Sequence, residues 1–270
     1  LSLHRFNHHH QRRHLRGFGY FSRLGPGIVT GASDDDPSGI GTYSQVGARF
    51  GTGLLWTALI SFPLASAVQE TAARLGLSSG KGLAALIKER FARPVLVGTV
   101  ALVATANTFN IGADIGSMAA SIRLFAPVPF EPLVIAIAAI IVSLEVFVTY
   151  HTYAKVLRWL TLSLASYVAV LFMVEVDWGR VARDTIIPSL RFDRPFLAAL
   201  IAVFGTTISP YLFFWQASEE VEEEIEHHET PKVAAKHIRA MRADVIAGFA
   251  SAIGIMFAIM VASAFTLGTH

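Results

Sequence analysis

Long apolar stretches alternate with short polar ones along the 270 residues of the chain. A helical membrane span needs about 20 mostly apolar residues, and about seven segments qualify by that measure. They lie near 25–48, 53–75, 94–121, 130–150, 155–176, 195–217 and 243–267. The connections at 76–93 and 218–242 are polar and charged, and the one at 177–194 mixes Arg with Asp around Pro188. Two of the spans are interrupted. In the first, Asp34-Asp35-Asp36-Pro37-Ser38-Gly39 separates two runs of small, mostly uncharged residues. Pro37 removes a backbone donor and clashes with a continuing helix, and Gly39 loosens the chain. In the sixth, Gly205-Thr206-Thr207-Ile208-Ser209-Pro210-Tyr211 puts a proline and hydroxylated residues at the middle. Pro210 frees a carbonyl one turn earlier, near Thr206. A proline kink alone is tolerated in a membrane helix. Paired with a carboxylate-bearing break, which is costly at membrane depth, it points to a shared ion site where two discontinuous helices meet.

Composition fits a membrane protein. Hydrophobic residues make up 53% of the chain and charged ones only 16%, whereas a soluble domain carries about 25% charge. The chain has no cysteine, which excludes disulfides and thiolate metal sites. Residues 1–23 are rich in His and Arg, hold no acidic residue and lack the apolar core of a signal peptide. They read as a basic cytoplasmic tail, with 24–270 as the membrane domain. With the N-terminus inside, sixteen of the 22 Lys and Arg fall in the tail, 74–93, 151–158 and 219–242. The other six are Arg49, Arg123, Arg180, Arg183, Arg191 and Arg194, and the last four weaken the asymmetry locally. No phosphate loop, no nucleophile with a nearby base and no zinc-type His spacing is present. The chain therefore reads as neither an enzyme nor a cofactor binder, with no nucleic acid and no obligate protein partner evident.

The order and spacing of several segments resemble the NRAMP family of divalent-metal transporters. Gly25-Pro26-Gly27 followed by Asp36-Pro37 is similar to the family's opening segment and its Asp-Pro-Gly-Asn break. Gly47-Ala48 through Gly53-Leu54-Leu55-Trp56 resembles the join between its first two spans. Gln69-Glu70, Ala72-Ala73-Arg74-Leu75-Gly76 and Gly80-Lys81-Gly82-Leu83 resemble the end of its second span and carry the most specific signal. The resemblance implies an all-helical integral membrane protein with a LeuT-like inverted-repeat fold, spans one and six broken. About seven spans would supply the first repeat and the start of the second. Because the chain begins with Leu and stops there, it is expected to be part of a longer protein. A multi-pass location in a bacterial inner membrane follows, with a metal ion and the lipid bilayer as partners.

The same resemblance implies a ligand set. Asp36 falls where the family has its metal-binding aspartate, Gly39 where it has an asparagine, and Thr206 where a backbone carbonyl binds the ion. Ser209 replaces the family's methionine and Tyr211 its histidine. Asn110 and Ala113 fall at two span-three carboxylates, with Asp114 adjacent. A thioether suits transition metals, whereas carboxylate and carbonyl oxygens suit Mg²⁺ and Mn²⁺. Mg²⁺ also dehydrates reluctantly, so a wider oxygen site fits a partly hydrated hard cation. The expectation is therefore transport of Mg²⁺, Mn²⁺ or both by alternating access, as in NRAMP-related magnesium transporters. Fewer titratable groups in spans three and six suggest no tight proton coupling.

Three alternatives stay open: a proton-coupled Mn²⁺/Fe²⁺ carrier of the ordinary type, a non-transporting ion binder or sensor, and a sodium-coupled carrier of small organic solutes. Around the direct ligands, Asp34, Asp35, Asn110, Asp114, Tyr211 and Gln216 are candidates for holding a hydrated ion or lining its pathway. Lining the pore or solvation in a vestibule suits Asp34 and Asp35 better, and capping a neighbouring helix suits Gln216 at least as well. The acidic run from Glu219 to Glu229 reads as a solvated, partly helical connector.

Overall fold

A computed structural model describes residues 36–147, 162–226 and 235–268. The described residues are helical, with no strand among them. α1 covers Pro37–Phe50, α2 Trp56–Ser79, α3 Leu83–Arg90, α4 Arg93–Arg123 and α5 Phe130–Phe147. A 3-10 turn at Leu162–Leu164 leads into α6, Ala165–Val170. There follow α7 at Trp178–Ile186, α8 at Arg194–Thr207, α9 at Pro210–Glu226 and α10 at Ala235–Thr266. Among the described residues, three helical stretches are long and apolar enough to cross a bilayer: Arg93–Arg123, Arg194–Val221 and Ile238–Thr266. The second of these runs through the α8–α9 break.

The helix starts follow from their caps. Asp36 accepts from the Gly39 amide at α1, Asp177 from the Arg180 amide at α7, and Asp193 from the Phe196 amide at α8. Each carboxylate fills one of the donors that a helix N-terminus leaves unpaired. Pro37 follows its cap directly, where a missing N–H costs nothing.

Small residues let the helices approach closely, as membrane packing requires. Gly47 of α1 lies against the Met260 carbonyl and Ser263 of α10. Gly76 of α2 lies against α9, where an added Cβ would stand 2.5 Å from the Ala217 carbonyl oxygen. The main core joins Tyr43, Val46, Leu54, Leu55 and Trp56 to Phe196, Val203, Met256, Ile259 and Met260. Phe50 meets Phe196 edge-on at 5.6 Å, so α1 and α8 run together towards one end. A second cluster of Ala65, Ala73, Met241, Val245 and Phe249 joins α2 to α10. Above it Glu70 pairs with Arg74 at 2.5 Å and with Arg242 of α10 at 3.3 Å.

Several boundaries differ from the expected ones. α2 runs on to Ser79, where Gly80 ends it with a left-handed φ of +60°. The connection at 76–93 holds the short helix α3, and the one at 177–194 holds α7. The described part of the fifth span ends at Val170, six residues before the expected 176. There the amides of Leu171, Phe172 and Met173 bond to carbonyls three residues back, tightening and ending the helix. The tail at 1–23, the first half of the first span, and residues 148–161 lie outside the described residues.

Candidate metal site

The start of α1 at Asp36 and the gap between α8 and α9 lie together in the bundle, joined by hydrogen bonds from both sides. At the first, Asp36 is the N-cap of α1 and its carboxylate takes four donors. Oδ1 accepts from the Gly39 amide at 2.5 Å and the Ser38 hydroxyl at 2.8 Å. Oδ2 accepts from the Asn110 amide at 2.8 Å and the Tyr211 hydroxyl at 3.3 Å. The Oδ1 bonds are local and fix the carboxylate to its helix. The Oδ2 bonds come from α4 and α9, from side chains 74 and 175 residues away.

At the second break, α8 ends at Thr207 and α9 begins at Pro210. Pro210 stands four residues after Thr206, so the Thr206 carbonyl loses its helical donor. The Ser209 hydroxyl donates to it instead, at 2.7 Å. The Thr206 hydroxyl is buried and has no hydrogen-bond partner. An orphaned buried hydroxyl beside a carbonyl that has lost its helical donor, at the negative end of α8, is a cation-seeking arrangement. Tyr43 of α1 meets Thr207 of α8 through their hydroxyls at 2.9 Å, and Tyr211 of α9 reaches Asp36. The two breaks are thus held to each other from both sides.

α4 adds a second carboxylate. Asp114 accepts from the Ser38 amide at 2.9 Å and from Asn110 at 3.3 Å. Asn110 also donates to the Tyr211 hydroxyl at 3.2 Å, and its carbonyl oxygen, 2.9 Å from the Ser38 hydroxyl, competes with Asp36 for that hydroxyl's single hydrogen. Its amide therefore has three acceptors for two hydrogens, and it is the hub of the network. Span three, expected to have Asn110 and Ala113 at two carboxylate positions, brings Asp114 into the network one turn beyond Asn110, on the same helix face.

Of the expected residues, Asp36, Gly39, Asn110, Asp114 and Tyr211 come together. Gly39 contributes its amide to Asp36, since it has no side chain to offer. Thr206 and Ser209 form the second break, with the Ser209 hydroxyl turned back onto α8. Gln216 belongs elsewhere: it accepts from Gln69 at 3.0 Å and donates to Glu220 at 2.7 Å, joining α2 to α9. Asp34 and Asp35 lie outside the described residues. Ser38 and Tyr43 were not expected. Their signals are visible in hindsight, a hydroxyl beside the Asp-Pro step and a tyrosine seven residues on from Asp36, on the same helix face. Among the described residues no group of three His, Cys, Asp or Glu side chains forms a metal cluster. The donors are two carboxylates, an amide, hydroxyls and backbone carbonyls.

An all-helical chain in which a carboxylate at the start of α1 meets the break between α8 and α9 has the LeuT-like fold of membrane proteins. The chain belongs to the Nramp family, described as natural resistance-associated macrophage protein-like, whose model matches residues 27–270. It is similar to the divalent metal cation transporter MntH of Verminephrobacter eiseniae, 29% identical over 213 residues, covering 70% of this chain and 44% of that protein. It is 30% identical over 249 residues to MntH of Yersinia pestis, covering 88% of this chain and 58% of that one. A crystal structure of the Eremococcus coleocola manganese transporter, in complex with an aromatic bis-isothiourea substituted compound, shares the fold. Its TM-score is 0.70 at 21% identity, covering 92% of this chain and 53% of that one. The chain thus spans about half the length of the relatives it matches.

Proposed function

We propose that this chain carries the ion-binding part of a divalent-metal transporter and that Mn²⁺ is its cargo. The observation that carries the reading is Asp36, capped onto α1 through one oxygen and held across to α4 and α9 through the other. A cation arriving at Oδ2 exchanges the Asn110 and Tyr211 donors for itself while the local bonds to Oδ1 persist. The Thr206 carbonyl and hydroxyl supply oxygens from the opposite break. The MntH relatives are named for divalent metal cations, and within that class Mn²⁺ is suited by the carboxylate and carbonyl oxygens gathered here. Carboxylate and carbonyl donors suit either ion, so Mg²⁺ is the natural competitor.

Asp114 also changes the reading of coupling. A titratable carboxylate bonded to the same Asn110 as Asp36 offers a proton station beside the ion. Proton-coupled entry is the reading this supports, with inward flux assisted by about 4.6 kcal/mol per 100 mV for a double charge. A bacterial inner membrane and a cytoplasmic N-terminus accompany that reading. The test is Mn²⁺ and Mg²⁺ influx into liposomes, with internal pH recorded, for the chain alone and within any longer protein that carries it. Mn²⁺ influx with internal acidification is expected. Mg²⁺ influx at fixed pH would return the reading to an uncoupled hard-cation carrier. Mn²⁺ binding with no flux in either form would make the protein a binder or sensor.

A further inference from the structure

The arginines between 177 and 194 run against the charge asymmetry of the rest of the chain, and the transport reading leaves them without a role. α7 docks on the α1–α2 turn: Val181 is buried, Asp184 accepts from Thr52, and the Ser189 hydroxyl donates to the Gly53 carbonyl at 2.7 Å. Its opposite face carries Trp178, Ala182 and Ile186 at i, i+4 and i+8. Trp178 is 53% and Ile186 71% exposed. The strap that follows adds Leu190 and Phe192, 60% and 83% exposed.

Depth follows from helix length. α1 and α8 each have 14 residues and each abuts a central break, so Phe50 and Arg194 stand about 21 Å from it. Half the hydrocarbon core is about 15 Å. α7 and its strap therefore lie at headgroup level. Arg180 and Arg191 there pair with Asp184 and Asp193. Arg183 and Arg194 are exposed, and no acidic side chain within the described residues pairs with them. A tryptophan and branched apolar residues beside arginines without an acidic partner among the described residues match the interface on both counts: apolar surface for the acyl boundary and guanidinium forks for phosphate.

We propose that α7 and its strap form an interfacial anchor whose occupant is anionic phospholipid, with Arg183 and Arg194 holding headgroup phosphate. The proposal rests on the bilayer placement of the fold and is independent of the cargo. In nanodiscs of the full chain, within its longer protein where one exists, bromines placed high on the acyl chains quench the tryptophan fluorescence. The part lost in Trp178→Phe belongs to Trp178. Brominated phosphatidylglycerol diluted in unlabelled phosphatidylcholine should quench that part more than brominated phosphatidylcholine at the same fraction. The enrichment should approach about fivefold per arginine. The double variant Arg183→Gln/Arg194→Gln should equalise the two lipids while leaving the quenching itself. Absence of lipid quenching at Trp178 would show that protein covers the face and would overturn the proposal. Equal quenching by both lipids in the unaltered protein would overturn it too, leaving only an apolar contact.

Discussion

Asp36 has two separable duties, and one substitution pulls them apart. Asp36→Asn keeps the helix cap, because asparagine and aspartate cap about equally well. The Gly39 amide and Ser38 hydroxyl still find an oxygen where Oδ1 stands. At the Oδ2 position an amide nitrogen now faces two donors, from Asn110 and Tyr211. The Tyr211 hydroxyl can rotate to accept, and Asn110 keeps Asp114 as an acceptor at 3.3 Å. The net loss is about one hydrogen bond, or about 1 kcal/mol of stability. The cation, by contrast, loses a full negative charge and an anionic oxygen in a partly buried site. An affinity loss of at least about 100-fold is expected, equivalent to about 2.8 kcal/mol. Asp36→Ala removes the cap as well and costs about 1 kcal/mol more in stability. The assay is calorimetric Mn²⁺ titration in nanodiscs beside thermal unfolding of the same samples. Mn²⁺ affinity in the Asn variant within about threefold of the parent would refute the reasoning and leave Asp36 a helix cap only.

Pro210→Ala restores an N–H four residues after Thr206 and so supplies the helical donor its carbonyl lacks; Mn²⁺ uptake should fall about tenfold or more, with radiotracer influx as the measurement and unchanged uptake counting against a role for that carbonyl. Gly76→Ala would place a methyl 2.5 Å from the Ala217 carbonyl oxygen and force α2 from α9; a loss of about 1–3 kcal/mol is expected in thermal unfolding, and a neutral result would mean that the two helices separate freely.

The helices were legible because an apolar run long enough to span has few other solutions. The breaks were legible because proline forbids the helical bond, which the Ser209 hydroxyl replaces. Asp36 stood out as a charge in an apolar span. Asp114 was harder: α4 is apolar on most faces, and a shift of one residue exchanges it for Ala113. Only the bond from the Ser38 amide settles which of the two faces α1. The pairing of Gln216 with Gln69, 147 residues earlier, depends on the close approach at Gly76 and has no local signature. α7 escaped notice because its 9 residues are too few to span and carry charges.

The sixth span is divided mechanically as well as in its hydrogen bonding. α8 is fastened mainly to α1 through Thr207 and Phe196, whereas α9 beyond Tyr211 is fastened mainly to α2 through Ala217 and Gln216. Ile208 and Ser209 form the short flexure between two levers with different mountings. One lever can tilt while the other holds still, so the two ends of the sixth span need not move together.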